Sequence, residues 1–343
     1  MVNVGVIGCG YWGPNLIRNF SQIEDCSVIG CADLSQDRLK HISKAFPKIK
    51  TMTDHKELLN DDEIDAIAIV TPVSTHFKLA KEALEKGKHV LIEKPITATS
   101  DEARILIDLA KEKNKVLMVD HTFEYSGPVS KIKELIDNGD LGEIYTVDMV
   151  RVNLGLFQQD INVIWDLAPH DISVLIYMLG GMPSSVRAIA ESYIQPKVED
   201  SAYITLKFKS KTMANLHVSW LDPCKIRRTT LVGSKKMLVY DDIELSEKIK
   251  VYDKGVTFET IDKAKPKHWD SYKEFQYMYR DGNINIPKVD LKEPLRSMTE
   301  HFVDCIKSGK QPRSDGNSGL QVVKVIEAAQ LSLKNKGTEV QIA

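Results

Sequence analysis

Two short segments carry groups that could move a proton on and off an alcohol. The first is Glu93-Lys94-Pro95-Ile96. A lysine ammonium there can hydrogen-bond a hydroxyl oxygen and stabilise the alkoxide that develops as a hydride leaves. Pro95 forces Lys94 out of helical geometry, and an X-Pro bond can be cis. The second is Trp165-Asp166-Leu167-Ala168-Pro169-His170-Asp171. Asp166 and His170 are four apart, so in a helix both project from one face. A carboxylate beside an imidazole fixes its tautomer and raises its basicity, which suits a general base. Pro169 removes one helix N–H next to His170. Each segment also has a plain structural reading: a surface lysine before a proline, and a helix cap with a satisfied histidine.

A departing hydride needs an acceptor, and the N-terminus offers a place for one. Gly8-Cys9-Gly10-Tyr11-Trp12-Gly13 is a G-x-G-x-x-G that follows a predicted strand and opens a predicted helix. Gly8 suits the tight turn, Gly10 lets a pyrophosphate approach the backbone, and Gly13 lets helix and strand pack closely. The helix N-terminus offers free N–H donors to the phosphates. Asp33 lies 20 residues past Gly13. A carboxylate there accepts from a ribose 2′-OH and repels a 2′-phosphate, which favours NAD over NADP. Thr71-Pro72, with His76 just beyond, follows another predicted strand and can line the same crevice or simply cap the next helix.

These groups require a scaffold. Up to residue 120, apolar runs at 2–7, 26–32, 65–70, 89–92 and 116–119 alternate with helical patterns at 11–23, 36–46, 75–86 and 101–113. Continuous apolar strands between helices predict a doubly wound parallel sheet, a Rossmann domain over residues 1–120. Residues 121–343 read as an α+β domain. Helices are expected at 128–138 and 165–179. Alternating strands such as 202–208 and 213–220 predict a large, mainly antiparallel sheet with one solvated or partner-covered face. The last helices span 295–308 and 319–334, the latter packing through Leu320, Val323, Ile326 and Leu331, and can return to either domain.

Composition excludes several classes. The chain has 343 residues, 43% hydrophobic and 27% charged, with 46 Lys plus Arg against 48 Asp plus Glu. Residues 1–120 hold 16 basic and 18 acidic side chains. Neither part is basic, so no nucleic-acid footprint is expected. No apolar run reaches the roughly 20 residues of a membrane helix, and the N-terminus has no signal-peptide pattern, so no membrane partner and a cytoplasmic location are expected. Cys9, Cys26, Cys31, Cys224 and Cys305 show no C-x-x-C and read as free thiols. The nine histidines lack metal-ligand spacing, so no metal is expected.

In this order the motifs resemble the glucose–fructose oxidoreductase / inositol dehydrogenase (Gfo/Idh/MocA) family. The most specific pieces are GVIGCGYWGPN, VTPVSTH, EKP, the D-x-x-x-H of DLAPHD and the closing SGKQPRSDGNSGLQVVKVIEAA. The resemblance implies an NAD-dependent dehydrogenase oxidising one secondary hydroxyl of a sugar or cyclitol. It implies catalytic roles for Lys94, Asp166 and His170, and homodimer or homotetramer contacts through the open C-terminal sheet. Residues 121–129 (HTFEYSGPV), with Arg151, Asn153, Gln158, Asp160, Asn162 and Val163, look similar to the branch acting on UDP-linked amino sugars, such as UDP-N-acetylglucosamine 3-dehydrogenases and their uronic-acid relatives. The expected cofactor set is Gly8, Gly10, Tyr11, Trp12, Gly13, Asp33, Thr71, Pro72, His76, Glu93 and Lys94. The expected substrate set is Lys94, Tyr125, Arg151, Asn153, Asn162, Asp166 and His170. Arg151, Lys225, Arg227 and Arg228 could pair with a diphosphate or uronate, although Lys225–Arg228 also reads as a solvated strand edge. The expected reaction is hydride transfer from C3 of UDP-N-acetylglucosamine or its uronate. Alternatives are a free cyclitol or monosaccharide dehydrogenase, an NAD-recycling glycosidase and a nucleotide sensor.

Overall fold

The computed structural model describes residues 1–159, 161–258 and 277–342. Asp160 therefore lies outside the described residues. The chain begins with β1 (Val2–Ile7), α1 (Gly13–Ser21), β2 (Cys26–Ala32), α2 (Gln36–Ala45), β3 (Lys50–Met52), α3 (His55–Leu59), β4 (Ala66–Ile69), α4 (Val73–Glu85), β5 (His89–Glu93), α5 (Ser100–Glu112) and β6 (Leu117–Asp120). The six strands form one parallel sheet in the order β3-β2-β1-β4-β5-β6. The order reverses at β1, which opens a ligand crevice at the strands' carboxyl ends. β3 and α3 are additions to the elements expected from sequence. They are short, and the polar residues around them mask any periodicity.

Local chemistry explains the helix starts. The side chains of Ser35, Asp54 and Thr99 accept from backbone N–H groups at the first turns of α2, α3 and α5. α1 has no side-chain cap, and Pro14 sits in its first turn. Its free N–H groups remain available at the glycine-rich loop.

A 3-10 turn (Thr122–Tyr125) leads into α6 (Gly127–Asp137), β7 (Ile144–Val152) and α7 (Val163–Leu179). There follow β8 (Ser185–Glu191), β9 (Ser201–Lys207), β10 (Met213–Ser219), β11 (Ile226–Gly233), β12 (Met237–Asp241), β13 (Ile249–Phe258) and β14 (Tyr277–Asn285). The chain closes with α8 (Pro294–Ser308), α9 (Gly316–Lys334) and β15 (Val340–Gln341). Among the described residues the second sheet has nine strands, ordered β14-β13-β12-β11-β7-β10-β9-β8-β15. Its pairs are antiparallel except β7 with β10.

One face of this sheet packs on α6, α7 and α9 through Val147, Leu216, Ile204, Ile172, Leu175 and Ile326. The other carries the alternating exposed residues Tyr145, Ile189 and Tyr203. The two final helices divide. α8 returns to the first sheet, burying Leu295, Met298 and Phe302 beside Leu16, Ile17 and Phe20. Arg296 donates to the carbonyls of Asn19 and Gln22 at the end of α1. α9 bridges both cores, with Val323 in the first and Ile326 in the second. Leu331, expected in its packed stripe, is instead exposed.

Candidate active site

The dinucleotide cradle forms at the end of β1. Gly8 has φ +102°, and a Cβ there would stand 2.3 Å from the Val70 carbonyl oxygen. A Cβ on Gly13 would meet the Gly8 carbonyl oxygen at 2.3 Å. A Cβ on Gly10 would meet only an Arg38 nitrogen within 4 Å, at 3.9 Å, so the space beside its backbone is open to a ligand. Tyr11 and Trp12 are exposed beside it and meet edge to face. Asp33 accepts from the N–H of Cys9 at 2.7 Å and of Ser35 at 2.8 Å. It therefore ties the glycine loop to the end of β2, and its carboxylate keeps lone pairs for a ribose. Arg38 lies 3.5 Å from it, a cation that the sequence reading had not placed there. The cradle fits an NAD: two positions exclude side chains, one is open, and uncapped helix N–H groups face the loop.

Thr71 and Pro72 follow β4, and the Thr71 hydroxyl meets that of Thr75 at 2.6 Å. His76, expected to face the cofactor, is buried and works inside the protein. Its Nδ1 lies 2.9 Å from the Pro95 carbonyl and its Nε2 2.7 Å from the Thr71 carbonyl. The ring ties the turn after β4 to the turn that carries Lys94, where the Lys94–Pro95 peptide is cis. Glu93 also faces inward. It pairs in register with Asp120 on β6, and burial, with Asp120 second, pushes its carboxyl well above the usual range.

Lys94 reaches across to α7. Its Nζ donates to the Asp166 carbonyl at 2.8 Å and stands 3.6 Å from Asp166 Oδ1. Asn162 caps α7 by accepting from the Trp165 N–H. The helix continues through Pro169, which leaves the Trp165 carbonyl without its usual helical donor. Asp166 was expected to orient His170 or to hold a neighbouring substrate hydroxyl, and among the described residues no hydrogen bond joins its carboxylate to His170. Its Oδ2 accepts from Trp220 Nε1 at 3.0 Å, so it holds the lysine instead.

His170 lies one turn further on. Its ring meets the Phe123 ring edge to face at 5.0 Å, and its buried Nδ1 has no partner. Burial, then the charges of Lys94 and Arg151, holds its pKa well below the ordinary imidazole value. The ring is therefore neutral and able to accept a proton.

Three expected substrate residues have other duties. Arg151 is buried and forms a bidentate pair with Asp171, with Nε at 2.9 and 3.0 Å and Nη2 at 2.7 Å. Its guanidinium lies over Phe123 at 4.7 Å. It is the support behind the ring that packs on His170, not a free anion site. Tyr125 is buried, and its hydroxyl meets that of Ser314 at 3.0 Å. Asn162 spends Oδ1 on Trp165 and Gln330, and Nδ2 on Glu199. Asn153 lies at the end of β7, its N–H donating to Ser219 next to Trp220. Lys225 and Arg228 are exposed, while Arg227 pairs with Asp242 at 3.4 Å and lies 5.7 Å from the Phe123 ring centre.

Sequence reasoning missed Asp120, His121, Phe123 and Trp220. His121 directly follows β6, as Lys94 follows β5, and that shared position at a strand's carboxyl end was the available signal. Trp220 ends a predicted strand, but nothing local points it at Asp166.

Profiles of one family match both parts of the chain. The profile described as "Oxidoreductase family, NAD-binding Rossmann fold" covers residues 2–121, and the GFO/IDH/MocA C-terminal domain covers residues 129–239. The uncharacterized oxidoreductase YdgJ of Escherichia coli is 30% identical, over 68% of this chain and 69% of its own. The UDP-N-acetylglucosamine 3-dehydrogenase of Acidithiobacillus ferrooxidans is 28% identical, over 94% of each chain. The myo-inositol 2-dehydrogenase of Thermotoga maritima is 23% identical, over 98% of this chain and 97% of its own. Among solved structures, GnnA from A. ferrooxidans superposes with TM-score 0.80 at 24% identity, covering 97% of this chain and 98% of that one. The glycine cradle, the lysine after β5 and the histidine on α7 thus stand on a shared fold, and the chain belongs to the Gfo/Idh/MocA family of NAD-binding oxidoreductases.

Proposed function

We propose that this chain oxidises one secondary hydroxyl of a sugar, with C3 of UDP-linked N-acetylglucosamine or its uronate as the preferred position. The observation that carries the reading is the pairing of a fixed ammonium with a neutral imidazole, its buried Nδ1 without a partner, beside a dinucleotide cradle. When bound by Gly8, Gly10, Gly13 and Asp33, with Thr71 and Pro72 alongside, NAD supplies the hydride acceptor.

The protein's own part is position and proton handling. Lys94 donates to the reacting oxygen and stabilises its growing negative charge. His170 takes the hydroxyl proton as the C–H bond breaks, and returns it in the reverse direction. Asp166 and Trp220 hold Lys94 in place, and Phe123, backed by Arg151, holds His170. An acid–base pair of this kind has no purpose in a nucleotide sensor.

The nucleotide-sugar preference draws on the likeness to the A. ferrooxidans 3-dehydrogenase. A second reading, a free cyclitol dehydrogenase, draws on the T. maritima relative and on a scyllo-inositol 2-dehydrogenase of Bacillus subtilis, 23% identical over 91% of this chain. NADH formation at 340 nm across UDP-sugars, free sugars and inositols separates them. Signal with UDP-N-acetylglucosamine or its uronate alone supports the first. Signal with free polyols alone replaces it with the second. Silence with NAD retained in the purified protein favours a recycling mechanism.

The further expectations are a cytoplasmic location and a homodimer or homotetramer. Among the described residues no helix is long and apolar enough to cross a membrane. The uncovered sheet face, with Tyr145, Ile189 and stacked Tyr203 and His217, suits a second copy.

A further inference from the structure

A cavity of about 540 Å³, a size that suits a small-molecule site, opens at the start of α7. It borders the groups already described. Trp165 in its wall is the residue before Asp166, whose carbonyl takes the Lys94 ammonium. Ala98 lies four residues past Lys94, and Ser74 follows the Thr71-Pro72 turn closely. Lys197 and Glu199, from the connection between β8 and β9, line it as well.

The cavity holds donors that the protein does not use. Among the described residues the Lys197 ammonium has no hydrogen bond or ion pair, and neither the Trp165 indole N–H nor the Ser74 hydroxyl has a partner. Trp165 is half-buried, and its Nε1 keeps accessible surface. The carboxylate of Glu199 is engaged with α7, where its Oε2 accepts from Asn162 Nδ2 at 2.7 Å. The Glu199 carbonyl accepts from the Val163 N–H. An ammonium and an indole N–H can only donate, so they call for a ligand group made of acceptor oxygens. A phosphate or a carboxylate is such a group, and its bonds to a charged donor are the strong ones. Arg151 and Arg227, which the sequence offers for an anion, are paired with Asp171 and Asp242.

We propose that this cavity takes the anionic, non-reacting part of the substrate, a phosphate or carboxylate paired with Lys197 and hydrogen-bonded by Trp165. This rests on the nucleotide-sugar reading above.

The test uses Lys197→Gln, Lys197→Arg and Trp165→Phe on UDP-N-acetylglucosamine and its uronate. UDP serves as a competitive inhibitor, and NADH affinity and Tm are read alongside. Lys197 is exposed, so Tm should move by no more than about 2 °C in its variants. For Lys197→Gln the expected result is a KM about 10- to 100-fold higher, with kcat within about threefold and NADH affinity unchanged. Lys197→Arg keeps the charge and should stay within about threefold of wild type, while Trp165→Phe keeps a ring, loses the N–H and should raise KM about 10-fold. A rise for both sugars, with UDP inhibition weakened alike, makes the anion the phosphate. A rise for the uronate alone, with UDP inhibition unchanged, makes it the sugar's carboxylate.

A KM for Lys197→Gln within about threefold of wild type on both sugars overturns the proposal and leaves the dehydrogenase reading standing. A loss of NADH affinity in step with the rise in KM also overturns it, by placing Lys197 on the cofactor. Wild-type oxidation of free polyols alone, or of no sugar at all, removes the nucleotide-sugar reading and this proposal with it.

Discussion

Replacing Arg151 by alanine separates an internal support from a substrate anchor. Its guanidinium makes three hydrogen bonds of 2.7–3.0 Å with Asp171, and the two side chains are 10% and 5% exposed. Removing the arginine leaves the carboxylate buried without its cation. Breaking such a pair from one side costs about 3–5 kcal/mol. At about 2–4 °C per kcal/mol, Tm should fall by roughly 6–20 °C in a calorimetric or fluorescence melt. The double variant Arg151→Leu with Asp171→Leu should recover most of that loss, because a buried pair replaced by apolar groups is often neutral. Below the melt, KM for the substrate should stay within about threefold, since Nε and Nη2 are committed to Asp171. A Tm within 2 °C of wild type, together with a KM raised at least about tenfold (~1.4 kcal/mol of lost binding), would refute this and restore Arg151 as a diphosphate or uronate ligand.

Trp220→Phe removes the donor to Asp166 Oδ2 and should lower kcat by about 10- to 100-fold with little change in NADH affinity, read by steady-state kinetics and fluorescence titration. Asp33→Ser loosens the glycine loop and exposes Arg38, so kcat/KM for NAD should fall about 10-fold or more while that for NADP rises. Glu124 is buried, and burial pushes its carboxyl up to about 8. The folded chain then holds a proton that the unfolded chain releases above about 4.5, so this group's stability contribution is lost as pH rises from 4.5 through 8. Glu124→Gln cannot release that proton, and its Tm advantage over wild type should grow between pH 5 and pH 8; an equal difference at both would contradict the burial argument.

How much was legible follows from how local each signal is. The glycine loop, the apolar strands β1, β2, β4 and β5, and the Glu93-Lys94-Pro95 turn are each written within a few residues. Helix bounds shifted by one to three positions, as at α7, where Asn162 caps a helix expected to begin at 165, and at α9, which starts at Gly316 and not at 319. The partners of the active groups are not local. Trp220 meets Asp166 from 54 residues away, and Asp171 claims Arg151 across 20. The four-residue spacing of Asp166 and His170 placed them on one helix face, but the indole pulled the carboxylate toward Lys94. The same distance effect hid the destination of α8, whose apolar stripe fits either core and is committed to α1 by Phe302 against Phe20. The place of His121 at a strand's carboxyl end was legible, but its unmatched ring is recognised only once burial is known.

The central claim is that Lys94 and His170 handle the proton beside a bound dinucleotide, and Lys94→Ala tests it most directly. With saturating NAD and the sugar that wild type oxidises, kcat should fall by about 10²- to 10⁴-fold while NADH affinity stays within about threefold. Near-wild-type turnover by Lys94→Ala would contradict the account.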